Sequence, residues 1–190
     1  LGHMWGYLVP EEAKSLKQSN PEMVMTPTLT IGQGQIYMRT DQPPFNDVRV
    51  RRAVSLAIDR KAWNDAILYG EGCIDAGPVP CALKEWKLDA AKIDPAKAKY
   101  LVGYDPAEAK KLLAEAGHKA GLTVPLFHTQ FYAPPWRTYY DLTADNLGKI
   151  GINVEFKPEE YGKYISTTYL AKYEKMAMGP ITPFTEVDDW

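Results

Sequence analysis

The 190-residue chain carries 22 basic against 24 acidic side chains, a formal net charge of −2, with the two signs mixed along its length. That balance leaves no basic patch for a phosphate backbone, so nucleic acid is not an expected partner. No apolar run approaches the roughly 18 residues that a bilayer-spanning helix needs. At 45% hydrophobic the chain can bury one sizeable core. Its 15 prolines and 12 tyrosines suit a mixed α/β domain with exposed loops and an aromatic-lined surface better than a helical bundle.

Residues 10–19 read as a short helix, with Pro10 early, Glu11 and Glu12 in the first turn and the lysines after them. TLTIGQGQIYMRT then predicts two strands flanking Gly32-Gln33-Gly34. Residues 43–69, PPFNDVRVRRAVSLAIDRKAWNDAILY, read as a proline turn leading into one amphipathic helix from about 47 to 69. Val50, Val54, Ala57, Ile58 and Ile67 form its apolar face, while Arg49, Arg51, Arg52, Asp59, Arg60 and Lys61 fill the rest. Asn46 or Asp47 can cap this helix, and Gly70 and Gly72 stop it. Residues 70–103 are the least regular part, with short helical pieces around Trp86 and Pro95.

The next helix is strongly encoded: Asp105 is the cap, Pro106 the first helical residue, and Glu108 stands three after the cap. Ala109, Leu112, Leu113 and Ala116 make its buried face and Gly117 closes it. A strand over 122–130 precedes a helix over 135–150, which places Trp136, Tyr140, Thr143, Leu147 and Ile150 on one face. Residues 152–156 alternate like a half-buried strand. A last helix is predicted over 159–171 and a last strand over 176–179. Helices between strands of this length imply crossovers and a largely parallel sheet. The expectation is a single α/β domain over residues 1–190.

Catalytic motifs are absent from the string. There is no Gly-x-Ser-x-Gly elbow and no His-Glu-x-x-His helix, and His3, His118 and His128 lie far apart. The spacing of Cys73 and Cys81 matches no zinc site. Gly32-x-Gly34 lacks the third glycine of a nucleotide loop and reads as a hairpin turn. Glu159-Glu160 and Asp188-Asp189 are adjacent pairs that point to opposite faces of a strand, so they read as solvated surface. No catalytic group, metal or cofactor is expected. A binding reading has positive content, because Gln130 to Trp136 joins a strand to a helix at the strand's carboxyl end. In open α/β sheets that is where ligands lie. Phe131, Tyr132 and Trp136 are candidate solute contacts; the alternative is that Phe131 and Trp136 plug the core.

Three strings carry a family resemblance: FNDVRVRRA followed by Ala57-Ile58-Asp59-Arg60, YDPAEAKKLLAEAG at 104–117, and Leu-x-x-Ile-Gly-Ile-x-Val at 147–154. Together they resemble the family 5 extracytoplasmic solute-binding proteins of ABC importers, which take peptides, nickel or oligosaccharides. The resemblance implies a periplasmic-binding-protein-like lobe (type II, cluster C) with a mixed, mainly parallel sheet and flanking helices. It implies capture and delivery without chemistry, ABC permease subunits as partners, and a place outside the cytoplasmic membrane with a lipoprotein anchor in the full-length form. Family members have two lobes. This chain matches most of the second, so it is expected to be one lobe without its partner, to bind solute weakly alone, and to have an exposed half-cleft through which it could form a homodimer.

In the family, the last predicted strand leads into a cleft-lining loop. Peptide binders often carry a tryptophan there and an aspartate for the peptide's α-amino group, at positions that hold Pro180 and Pro183 here. Thr182, Phe184, Thr185 and Glu186 offer hydroxyls, a ring and one acid instead, a mixture that leans toward an oligosaccharide over an oligopeptide. The compartment implied by the resemblance permits a Cys73–Cys81 disulfide; two unpaired thiols in a loop are the other reading. An interaction or sensor domain that reuses the fold is the alternative function.

Overall fold

The computed structural model describes residues 8, 10–26, 34–74, 77, 79–132 and 134–180. Its helices are α1 (Pro10–Ser19), α2 (Val48–Ala57), α3 (Arg60–Leu68), α4 (Pro95–Val102), α5 (Pro106–Glu115), α6 (Pro134–Gly148) and α7 (Tyr161–Ser166). Its strands are β1 (Gly34–Met38), β2 (Leu122–Thr129), β3 (Ile152–Glu159) and β4 (Met176–Pro180), in the sheet order β1-β4-β2-β3. β2 runs parallel to both β3 and β4, and β1 closes the β4 edge antiparallel. The sheet is therefore mixed and mainly parallel, as the alternating elements predict. Because β2, β3 and β4 share a direction, their carboxyl ends lie on one side of the domain.

Helix starts follow the capping residues. The Asp47 carboxylate accepts from the Arg49 N–H at 2.8 Å, and Asp105 accepts from the Glu108 N–H at 2.9 Å with Pro106 at the first helical position. Each cap satisfies a donor that the helix itself leaves free. The predicted 47–69 helix, however, is two helices. Ile58 is extended (φ −81°, ψ 112°), and Asp59 caps the second helix through the Ala62 N–H at 2.9 Å. The Asp59 N–H donates in turn to Oδ1 of the buried Asn146 on α6, at 2.7 Å. A tertiary hydrogen bond thus holds open a break that the apolar periodicity runs straight through. Arg60 secures the joint by donating to the Ser55 carbonyl at 3.0 Å and to Ser55 Oγ at 2.8 Å.

One core gathers Phe45, Val50, Val54 and Leu56 with Leu112 and Leu113 of α5, Leu147 and Ile150 of α6, and the strand residues Val124, Leu126, Ile152, Met176 and Met178. The apolar face read from the sequence, including Ile58 and Ile67, is buried throughout. Ala109, Leu112 and Leu113 are buried on α5, and Ala116 packs partly buried beside them. Two other expectations change. Gly34 is the first residue of β1 and pairs with the distant Pro180, so it is sheet and not hairpin turn; residues 27–33 lie outside the described residues. The predicted 159–171 helix shrinks to α7 and a 3-10 turn at Thr168–Leu170, because β3 continues to Glu159 and Thr167 leaves helical geometry (φ −122°, ψ −79°).

Candidate functional site

Thr129 and Glu159 are partners in the parallel β2–β3 register and end the two strands side by side. The chain then leaves β2 through Gln130, Phe131 and Tyr132, and leaves β3 into α7. Between these exits lies a cavity of about 390 Å³, lined by Thr129, Gln130, Phe131, Pro158, Glu159, Glu160 and Tyr161. Its size is within the ordinary range for small-molecule sites. It lies at the carboxyl ends of parallel strands, next to the 130–132 segment.

Aromatic rings build the wall. Phe131 is 64% exposed and stacks on Tyr161, with centroids 3.9 Å apart and planes at 21°. Tyr132 meets Tyr161 edge-on at 5.9 Å and Tyr164 at 6.5 Å, then touches Trp136 at 5.8 Å. Trp136 continues the series to Tyr139 and Tyr140. The three candidate aromatics therefore form one graded chain: Phe131 outermost, Tyr132 between, and Trp136 packed against the core. Phe131 is no core plug. Hydrogen bonds hold the segment, since the Phe131 N–H donates to Thr129 Oγ1 at 3.3 Å and the Tyr140 hydroxyl donates to the Thr129 carbonyl at 3.2 Å. Burial raises the Tyr132 and Tyr140 phenols well above their usual range, and pushes Tyr164 up to about 12 with help from Tyr169 and Glu159. At neutral pH these phenols are uncharged, and of the three only Tyr132 is partly exposed.

The two adjacent glutamates do different work. Glu159, expected on the solvated surface, has a side chain only 5% exposed. Its Oε2 accepts from Thr168 Oγ1 at 2.5 Å and from Thr167 Oγ1 at 3.5 Å, and its Oε1 lies 3.2 Å from Lys163 Nζ. The physical reason is tertiary cover: strand alternation puts Glu159 on the face of the exposed Asn153, Glu155 and Lys157, but the 3-10 turn folds back over that face at the end of β3 and sets Thr168 on the carboxylate, while Glu160 turns out. Glu160 caps α7, and the Gly162 and Lys163 N–H groups hold its carboxyl below the usual range. Sequence reading missed Glu159 and Tyr161 as neighbours of Phe131, and Tyr164 as a neighbour of Tyr132. The signal that could have found them is the parallel pairing of the 122–129 and 152–159 strands, which sets Thr129 opposite Glu159.

Thr182, Phe184, Thr185 and Glu186 lie outside the described residues; β4, the strand that leads to them, ends at Pro180 beside the same strand ends. Cys73 and Cys81 are joined in a disulfide, with Cα atoms 6.4 Å apart, in the irregular segment after α3. Among the described residues, no three His, Cys, Asp or Glu side chains converge on a metal position. No helix among them is long and apolar enough to cross a membrane.

A mixed sheet with flanking helices and a crevice at its parallel strand ends is the fold of the type II periplasmic binding proteins. The periplasmic binding protein DppA from Helicobacter pylori, solved in complex with the peptide STSA, superposes with a TM-score of 0.77 at 24% identity over 94% of this chain and 32% of that one. Residues 3–189 match the family model of bacterial extracellular solute-binding proteins, family 5 (middle), and the chain belongs to that family, whose members are binding proteins. Di/tripeptide-binding protein 1 of Pseudomonas aeruginosa is 25% identical over 184 residues, covering 95% of this chain and 32% of that protein. Heme-binding protein A of Haemophilus influenzae is 31% identical over 166 residues, covering 83% of this chain and 28% of that protein. The chain thus spans about a third of the length of these curated relatives.

Proposed function

We propose that this chain forms one solute-binding lobe of a protein that captures short peptides outside the cytoplasmic membrane and hands them to the permease of an ABC importer, with no chemistry of its own. A lipid anchor holds the intact protein at the membrane in this reading. The observation that carries it is the aromatic-walled cavity at the carboxyl ends of β2 and β3, in a chain that matches the solute-binding family over residues 3–189. Peptide replaces the oligosaccharide lean. That lean rested on residues 180–186, whereas a relative matched over 95% of this chain is named for di- and tripeptides. Uncharged tyrosines suit peptides as stacking surfaces for side chains and as donors to backbone carbonyls. The test is calorimetric titration of the intact protein with di- to tetrapeptides and with tri- and tetrasaccharides. Micromolar binding of peptides supports the proposal; binding of saccharides alone, or of neither, refutes it.

A further inference from the structure

The geometry points to a second site at the far end of the strands from the crevice, a lysine-rimmed cavity that takes the phosphate headgroups of an anionic membrane surface. This goes beyond the function proposed above and does not depend on which solute the crevice holds. The cavity, of about 520 Å³, lies where α5 and α6 turn into the amino ends of β2 and β3. Lys110 and Lys111 of α5, Lys119 of the turn that follows and Lys149 after α6 line it, with His118 beside them. The remaining lining is glycine, alanine and the buried Leu113 and Ile150. Among the described residues, no acid lines it. The chain's net charge of −2 conceals this patch, which exists only once folding sets Lys149 beside residues 110–119. The expectation that no basic patch exists is corrected to that extent. Four lysines round one cavity offer no extended track for a nucleic-acid backbone, so that exclusion stands.

Lysines near helix ends have an ordinary use, because each helix C-terminus carries about half a negative charge. α5 and α6 both end at this cavity, and Asp145 holds Lys149 at 2.6 Å. Four ammonium groups against one carboxylate and two half-charges still leave an excess of about two positive charges. Lys110, Lys111 and Lys119 have neither an ion pair nor a side-chain hydrogen bond among the described residues, and all four lysines are exposed. Exposed ammonium groups hold one small anion weakly, since water screens each pair. An array of headgroups differs, because a single surface meets every lysine at once and each strengthens binding about fivefold. That arithmetic selects a lipid surface over a free phosphate. β2 and β3 run eight residues each from this cavity to the crevice, about 25 Å, so a bilayer docked here leaves the crevice facing solvent.

The test is partition of the intact protein onto vesicles, by co-sedimentation at physiological ionic strength. Phosphatidylcholine vesicles with and without phosphatidylglycerol give a ratio in which an anchor or general adsorption cancels. That ratio is expected to exceed about tenfold and to fall in high salt. Lys110→Gln, Lys111→Gln, Lys119→Gln and Lys149→Gln together are expected to bring it close to one, whereas arginine at the same four positions keeps it. Glutamine at the exposed Lys84, Lys87, Lys97 and Lys172 removes as much charge away from the cavity and is expected to leave most of the ratio. A ratio near one in the parent protein, or equal losses in the two glutamine variants, overturns the inference. Circular dichroism on both variants shows that lost binding is lost charge and not lost fold. Free glycerol phosphate, titrated by calorimetry, separates the two sources of phosphate. Binding no tighter than about millimolar accords with a surface contact; micromolar binding makes this a small-anion pocket and overturns the inference.

Discussion

Replacing Gly179 with alanine is expected to lower stability by about 2 kcal/mol, through a contact that no sequence motif announces. An ideal Cβ built on Gly179 falls 2.0 Å from the Tyr164 hydroxyl oxygen and 3.1 Å from Tyr164 Cζ. Non-bonded carbon needs about 3.5 Å, so the hydroxyl must retreat by more than about 1 Å. It has little room to do so, since Tyr164 is 2% exposed and its ring abuts Tyr132. Overpacking of this kind costs about 1–3 kcal/mol, which for a chain of 190 residues lowers Tm by roughly 4–8 °C at the middle of that range. Tyr164→Phe supplies the check. Removing the hydroxyl leaves Cζ as the nearest atom, tight but tolerable, at a cost for the single change of about 1 kcal/mol. The double variant should therefore be more stable than the sum of the singles by about 1 kcal/mol or more. Thermal and urea denaturation of the four proteins, followed by circular dichroism, reads this directly. An unchanged midpoint for Gly179→Ala, or strict additivity in the cycle, would refute the reasoning. The contact matters for the site because it sets how closely α7 and its aromatic wall approach β4.

Three further outcomes are expected. Cys73→Ser with Cys81→Ser opens a loop closed over a separation of 8 residues, and should cost about 2.5 kcal/mol in urea denaturation; an unchanged midpoint refutes that contribution. His128 is buried between Tyr140 and Phe156, and burial lowers its pKa below the usual 6.5. The unfolded chain therefore binds the proton first, so stability is full above pH 6.5 and declines as pH falls from there toward the folded-state value. His128→Gln should flatten that slope between neutral and mildly acidic pH, and identical slopes would count against it. Phe131→Ala removes a ring that is 64% exposed, so Tm should move by no more than about 2 °C. Solute affinity, by calorimetry on the intact protein, should fall about tenfold in the same variant; unaltered affinity would remove Phe131 from the site.

Much of the architecture was legible because its signals are local. The Asp105-Pro106 cap, the Asp47 cap and the glycine at 117, which takes a positive φ of 93°, are decided within a few residues of chain. The 47–69 segment shows where local reading stops. Its apolar positions are all buried as read, yet its continuity is broken by Asn146, 87 residues further on. Glu159 shows the same limit at the site. Alternation groups it with the exposed Asn153, Glu155 and Lys157, and only the return of the Thr168 turn over the end of β3 buries it, which two adjacent acids do not record.

By itself the sequence determined where most helices and strands fall, which helix faces are apolar, and that an aromatic run follows the 122–129 strand. Those properties follow from periodicity, capping and propensity, each of which acts over a few residues. The break after Ile58, the strand at Gly34 and the short α7 were not among them. Only the tertiary structure decided that Phe131 stacks on Tyr161, that Glu159 is enclosed beneath Thr168, and that Gly179 must lack a side chain. Each of these depends on strand register and on the approach of elements distant in the chain. The cavity exists because β2 and β3 end level with one another, a relation between two strands that neither one encodes alone.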